Sequence, residues 1–136
     1  MRLKGDPLKK FIYRFVPASV IILLIINSSA FCSEPGKIIL NIAGKNYSLL
    51  TAFTSSERHK GLSGISKLKN ADGMIFYFNP PRRATFWNRD THLDLELIWL
   101  RKGEVTGRDS LPSIDKAGSI SIKSPAEVDA VVELVR

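Results

Sequence analysis

The segment LDLELIWL, residues 93–100, places the strongest constraint on how this chain can fold. Every odd position from Leu93 to Trp99 is apolar, and the carboxylates Asp94 and Glu96 lie between them. Side chains alternate between the two faces of a β-strand, whereas a helix repeats every 3.6 residues. The segment therefore predicts a strand and argues against a helix at this position.

Other short segments also have strand character, and residues typical of turns separate them. Their sequences are KIILNI, NYSLLTAF, GMIFYF, GSISIKS and VDAVVELV. One short helix is predicted after Ser55, because Gly61 and Gly64 limit its length. We expect a mainly β fold, a compact antiparallel β-barrel or sandwich with one short helix near the start of the domain.

The first 30 residues predict a signal peptide. Basic residues up to Arg14 precede an apolar run over residues 15–26, and small residues follow that run as far as Ala30. A helix made of that run would span roughly 18 Å, which is short of the ~30 Å hydrocarbon core of a membrane. Cleavage is expected after Ala30.

The N-terminal segment also has two alternative interpretations. Residues 11–31 would serve as an uncleaved membrane anchor, or Cys32 would become a lipidated N-terminus. We expect residues 31–36 to form a linker and residues 37–136 to form a single domain. The protein is therefore predicted to be exported to the periplasm or the cell exterior, or, alternatively, to be membrane-anchored by residues 11–31. Cys32 is the sole cysteine, so no disulfide can form within the chain.

The net charge of +7 is concentrated in the targeting segment. Five basic residues and one acidic residue give residues 1–30 a charge of +4, which leaves +3 for the remainder. The domain has only a small excess of basic over acidic residues, and its basic residues are scattered along the sequence. This charge distribution argues against nucleic-acid binding.

Three ordered motifs resemble a known family. The motifs ERHKGLSGI, DGMIFYF and FWNRDTHLDLELIWL are similar to those of the small prokaryotic family named domain of unknown function 192. The matching positions are Glu57-Arg58, Gly61-Leu62, Gly73-Met74-Ile75-Phe76, Phe86-Trp87, Thr91 and Leu93-Asp94. The resemblance covers roughly residues 38–136. It implies a compact β-rich fold, often behind a signal segment, with no established activity.

The chain departs from the family pattern at several positions. Asn88 stands where the family usually has methionine, Arg89-Asp90 where it has lysine and asparagine, and His92 where proline is frequent. At the other end, the family continues beyond the position of Arg136 through a glycine-bearing turn and another short stretch. We therefore expect a domain that is short at its C-terminus, with its last strand at an open edge of the sheet.

Four residues in or beside these motifs are candidates for ligand binding: Arg58, Trp87, Arg89 and Asp94. Phe86 and Trp87 are adjacent, so on a strand their rings point to opposite faces, and one ring can stay free to stack on a sugar or an acidic group. The alternative is that both rings are packed. Arg58 can clamp a carboxylate bidentately, and we expect its partner to be Asp94 rather than a substrate.

Catalytic and metal-binding alternatives rest on the alternating residues Asp90, His92, Asp94 and Glu96, which would share one face of a strand. Residues two apart on a strand lie about 6.6 Å from each other, so one metal ion would also need ligands from a neighbouring strand. No motif indicates an activated nucleophile, a phosphate loop, a dinucleotide site or a zinc site. From the sequence we assign no metal and no cofactor.

The sequence favours a non-catalytic binding module of the cell envelope, which would contact a small ligand, a glycan or an envelope protein. One alternative is a small envelope enzyme that uses Asp94 or Glu96 with His92. Another is a structural interaction domain whose C-terminal edge strand docks with a partner protein. The sequence leaves open whether the protein is an enzyme. We expect no nucleic-acid partner, and contact with a membrane only through an uncleaved N-terminal segment.

Overall fold

The computed structural model describes residues 36–136. The predicted signal peptide, its two alternatives and the linker through residue 35 lie outside the described residues. Within them the chain forms strands and short helices whose bounds are β1 Lys37–Ile42, β2 Lys45–Ala52, α1 Ser55–Lys60, β3 Gly73–Arg82, β4 Thr85–Trp87, β5 Leu95–Arg101, β6 Glu104–Leu111, α2 Ile114–Ala117, β7 Ser121–Lys123 and β8 Val128–Val135.

Six strands form one sheet in the order β1-β2-β3-β8-β5-β6, and β4 pairs with β7 in a small second sheet. The mainly β fold is thus confirmed. The sheets are not closed into a barrel, however, because β1 and β6 remain edges of the large sheet over residues 36–136. Alternating apolar residues indicate which faces of a strand are buried, and they carry no information on whether two edge strands meet. The barrel form of the prediction was therefore wrong.

The connection between β2 and β3 makes these two strands parallel, with Leu49 opposite Gly73. Parallel neighbours require a crossover of about a dozen residues or more, and residues 53–72, which include α1, provide it. The purely antiparallel arrangement that we predicted was wrong for this pair. A second short helix, α2, was also not predicted, since four residues are too few to show a helical period.

Strand β8 lies at the centre of the large sheet, antiparallel to β3 on one side and to β5 on the other. Neighbouring residues such as Val131 and Val132 are both fully buried, because the sheet is covered on both faces at this point. The C-terminal strand is therefore not an edge strand, and the expectation of an open edge there was wrong. The alternative function that depends on that edge, docking of the C-terminal strand with a partner protein, is therefore not supported.

Two apolar clusters lie on opposite faces of the large sheet. On one face, Phe86 of β4 packs edge-to-face against Phe76 and Trp99, at ring-centroid distances of 5.0 and 5.7 Å. On the other face, Ile98 and Val132 are fully buried in the second cluster. The small sheet thus covers the first face, and this is the face on which a cleft is found.

None of the helices in residues 36–136 combines the length and the hydrophobicity that crossing a membrane requires.

Candidate functional site

A cleft of about 430 Å³ opens on the face of the large sheet that carries β4. Its walls come from α1 and the loop after it, from the end of β3, and from β4 with the residues that follow it. Small-molecule pockets in proteins measure about 300–1,000 Å³, so a cleft of this size can hold a small organic ligand.

Five basic side chains line this cationic cleft, and none of them forms an ion pair within residues 36–136. They are Arg58, Lys60, Arg82, Arg83 and Arg89. Of the described residues that line the cleft, Glu133 is the one with an acidic side chain. A concave surface with charges of one sign focuses the electric field, so the electrostatic potential in this cleft is positive.

The helix that carries Arg58 begins with a capping box. The Thr54 hydroxyl accepts a hydrogen bond from the backbone N–H of Glu57 (3.1 Å), and the Glu57 carboxylate accepts from the backbone N–H groups of Thr54 and Phe53 (both 2.8 Å). The bonds from Thr54 and Phe53 hold the pKa of Glu57 below its usual value. The cap fixes the first turn of α1, and with it the position from which Arg58 extends.

The guanidinium of Arg58 is held by its own neighbours. It donates to the carbonyl oxygens of Phe53 and Tyr77 and to the hydroxyl of Ser55, and it lies 5.5 Å from the ring centre of Phe78. These contacts keep the charge at the wall of the cationic cleft. The salt bridge to Asp94 that we expected is not formed, so that prediction was wrong.

The adjacent rings of Phe86 and Trp87 point to opposite sides of β4. Phe86 is buried, whereas Trp87 is 47 % exposed and lines the cationic cleft. The ring of His59 meets the Trp87 ring edge-to-face at a centroid distance of 5.8 Å. One ring of the pair therefore belongs to the core, and the other offers an accessible aromatic surface.

The candidate Asp94 does not line the cationic cleft. Its carboxylate accepts a hydrogen bond from the backbone N–H of Ser113 (3.0 Å) and contacts the ammonium group of Lys116. The Lys116 contact is the main reason that the pKa of Asp94 is lowered. The structure thus brings Arg58, Trp87 and Arg89 together around one cleft, while Asp94 ties the start of β5 to α2.

The alternating residues Asp90, His92, Asp94 and Glu96 do not share one face of a strand as expected, because β5 begins only at Leu95. His92 instead pairs through Nδ1 with Asp115 (2.9 Å) and through Nε2 with Asp90 (3.4 Å). The Asp115 contact in particular raises the pKa of His92. Glu96 pairs with Arg108 (3.2 Å) and Arg136 (3.4 Å). No three His, Cys, Asp or Glu side chains of the described residues are placed to hold a metal ion together.

Asn88, where the family pattern has methionine, makes structural hydrogen bonds. Its side chain is fully buried, and its Nδ2 donates to the carbonyl oxygens of Pro112 (3.0 Å) and Gly118 (2.7 Å). Its Oδ1 accepts from the backbone N–H of Ile120 (2.9 Å). Asn88 therefore connects the end of β4, one wall of the cationic cleft, to the segment that contains α2.

The residue that sequence reasoning missed is Glu133, at the base of the cationic cleft. It lies on central strand β8, opposite Met74 of β3 and Leu97 of β5, and it is only 5 % exposed. No hydrogen-bond donor within residues 36–136 reaches its carboxyl group. Glu133 is nevertheless one of the residues that line the cleft.

Burial raises the pKa of Glu133 to about 8. The group is therefore largely protonated at neutral pH and can both donate and accept a hydrogen bond. The signal in the sequence was a single glutamate in the otherwise apolar run VVELV. It could be recognised as unusual only once that run was known to be a central strand with both faces covered.

The model of the family DUF192, described as "Uncharacterized ACR", matches residues 38–136. One similar solved structure is a protein of unknown function from Novosphingobium aromaticivorans DSM 12444, at 24% identity and a TM-score of 0.57, covering 74% of this chain and 81% of that chain. Another, from Sinorhizobium meliloti 1021, is described as a proposed transcription regulator, at 23% identity and a TM-score of 0.62, covering 75% of this chain and 82% of that chain. At these identities the two structures show a shared fold. Among curated proteins, no sequence matches this chain.

Proposed function

The chain belongs to the DUF192 family, whose activity is uncharacterized, and from that premise we propose that it is an exported, non-catalytic module that binds a small anion in the cationic cleft. The observation that carries the proposal is the set of five basic side chains that line one cleft without an ion-pair partner within residues 36–136. A bound anion would neutralise the mutual repulsion of these charges.

The chemistry of the lining supports a carboxylate or a phosphate as the bound group. Most of its charges are arginines, whose planar guanidinium groups match these anions in a bidentate geometry. Arg89 makes no side-chain hydrogen bond within the described residues, so its donors are available to a ligand. The exposed ring of Trp87 would support the apolar face of such a ligand.

The proposal of a non-catalytic role rests on how the hydroxyl groups of the cleft are bonded. Ser63 donates to the carboxylate of Asp90 at 3.3 Å, and the hydroxyl of Ser55 accepts from Arg58. In the described part of the chain, no hydroxyl group at the cleft is hydrogen-bonded to a histidine, which is the usual way of activating a serine or threonine nucleophile. The groups of the enzyme alternative, His92, Asp94 and Glu96, are engaged by partners outside the cleft.

Small inorganic and organic anions test the proposed binding directly. Protein expressed from the full 136-residue sequence should bind pyrophosphate and citrate in isothermal titration calorimetry, with affinity that falls as ionic strength rises. Arg89→Ala should weaken binding by about ten-fold or more, because a charge-assisted hydrogen bond is lost. Lys45→Ala, at a basic residue away from the cleft, is the matched control and should bind like the wild type. A folded wild-type protein that binds neither anion at low ionic strength would contradict the proposal.

Export is the second part of the proposal. The basic residues, the apolar run and the small residues up to Ala30 support processing by a signal peptidase. The protein recovered from the periplasm or medium of an expressing bacterium should then begin at Phe31, as N-terminal sequencing would report. A membrane-bound product that retains residues 1–30 would instead indicate the anchored form.

A further inference from the structure

Glu133 occupies a position where packing alone would favour an apolar side chain. Its cross-strand neighbours on both sides, Met74 and Leu97, are apolar, and the next residue to face the same cluster, Val131, is fully buried. A buried carboxyl group without a hydrogen-bond partner destabilises the folded state. A side chain that is unfavourable for folding and that lines a cleft points to a role in that cleft.

The charged and titratable groups that share the cleft with Glu133 come from three segments. Helix α1 contributes Arg58, His59 and Lys60. Arg82 is the last residue of β3, Arg83 follows it, and Arg89 lies after β4. Strands β3 and β5, which pair with β8 on either side, present Met74 and Leu97. No side-chain nitrogen of Lys, Arg or His in residues 36–136 lies within 4 Å of the Glu133 carboxyl group. The basic groups therefore do not satisfy its hydrogen bonds.

We propose that the cleft takes an anion that also carries hydroxyl groups, of the class of sugar acids, and that Glu133 determines this specificity by hydrogen-bonding a ligand hydroxyl at the base of the cleft. The inference rests on the proposed anion binding and adds that the ligand also carries hydroxyl groups. The acidic group lies among the basic side chains, and the sugar ring lies beside the exposed ring of Trp87.

A hydroxyl group fits the base of the cleft better than the other common donor, an ammonium group. An ammonium group would be repelled by the five basic side chains of the same cleft. A hydroxyl group is neutral, it can donate to a carboxyl group in either protonation state, and it can also accept from the protonated form. A ligand without a donor or acceptor at that point would leave the Glu133 carboxyl group unpaired, which disfavours binding.

Three ring compounds of similar size separate the two halves of the ligand. Glucuronate has an acidic group and hydroxyl groups, cyclohexanecarboxylate has only the acidic group, and methyl glucoside has only hydroxyl groups. Wild-type protein should bind glucuronate about ten-fold more tightly than cyclohexanecarboxylate, as one satisfied hydrogen bond to a buried carboxyl group implies. Methyl glucoside should bind more weakly than glucuronate, because it lacks the anion.

The variant Glu133→Met removes the carboxyl group at nearly constant volume. It should lose the preference for glucuronate over cyclohexanecarboxylate and should still bind pyrophosphate, because pyrophosphate binding depends on the basic side chains. A preference that survives in Glu133→Met would overturn the assignment to Glu133. Binding of pyrophosphate by the wild type without any preference for glucuronate would overturn this inference alone, whereas no binding of any anion would overturn the proposed function as well.

A measurement on the wild-type protein covers the case in which Glu133→Met does not fold. With glutamate labelled with ¹³C at the side-chain carboxyl, the Glu133 resonance should shift on addition of glucuronate and not on addition of cyclohexanecarboxylate. Equal shifts with the two compounds, or no shift with glucuronate at saturation, would overturn the inference.

Discussion

Glu133→Gln is expected to remove most of the pH dependence of stability between pH 5 and pH 7.5. Burial raises the pKa of this group to about 8, from an ordinary value of 4.5. Across that interval the folded protein keeps a proton that the unfolded chain has released, so the free energy of unfolding falls as pH rises. The slope approaches roughly 1.4 kcal/mol per pH unit, which amounts to about 3 kcal/mol over the interval. Glutamine does not titrate and should show no such decline.

The measurement is urea unfolding of the wild type and the variant at a series of pH values. His92 contributes in the same direction, because its raised pKa means that its ion pairs are present at low pH and are lost as pH rises through the folded value. His92 is exposed, however, and its contribution is screened by solvent. The carboxylates with lowered pKa, Glu57 and Asp94, lose their contributions only at more acidic pH and do not enter the interval.

Glu104→Gln, which changes an exposed glutamate in β6, is the matched control and should keep the wild-type slope. At pH 7.5 the Glu133→Gln protein should also be more stable than the wild type. Parallel curves for the wild type and Glu133→Gln would show that Glu133 titrates normally and that its carboxyl group is solvated in solution.

Gly73→Ala should destabilise the fold more than any surface change, by at least about 3 kcal/mol. A Cβ atom at position 73 would lie 1.9 Å from the carbonyl oxygen of Glu133, which is a backbone atom of the central strand and cannot rotate away. To accommodate alanine, β3 and β8 would have to separate where Gly73 faces Leu134. We expect a large drop in the urea midpoint, or failure to accumulate folded protein.

Gly36→Ala provides the comparison for Gly73→Ala. There the nearest atom to the added Cβ would be the side-chain oxygen of Thr51, at 3.0 Å, a contact that a shift of a few tenths of an ångström relieves. The cost should be well below that of Gly73→Ala. If both variants unfold at the same urea concentration, the close approach of β3 and β8 does not hold in solution.

Most strand positions were accessible from the sequence because burial imposes a period of two on side chains, as in residues 93–100. Strand β6 was not predicted, because its side chains are mostly exposed and show no such period. The separation of Phe86 from Trp87 followed from the same geometry. The order of the strands was not accessible, because it depends on pairings between distant segments such as β3 and β8. The last strand was therefore expected at an edge, although its nearly unbroken apolar run is typical of a strand buried on both faces.

The candidate site could be predicted only in part from the sequence, for a related reason. Arg58, Trp87 and Arg89 stand in or beside recognisable motifs, and the fold brings them to one cleft. The partner of Asp94 proved to be Lys116, 22 residues further along the chain, on a helix too short to predict. Glu133 was overlooked because a glutamate near the end of a sequence is ordinarily a solvated residue. Its meaning depends on the neighbours Met74 and Leu97, which only the folded sheet supplies.

The central place of β8 has a consequence for how the chain is synthesised. β3 and β5 each lack a neighbour on one side until residues 128–135 have been made, so the large sheet cannot be completed while translation of the domain is still under way. Pairing between segments this distant in sequence is slow. The large sheet therefore reaches its native arrangement only at the end of synthesis of the domain. A nonsense codon before position 128 would leave two separate half-sheets, β1-β2-β3 and β5-β6, each with an exposed apolar edge strand.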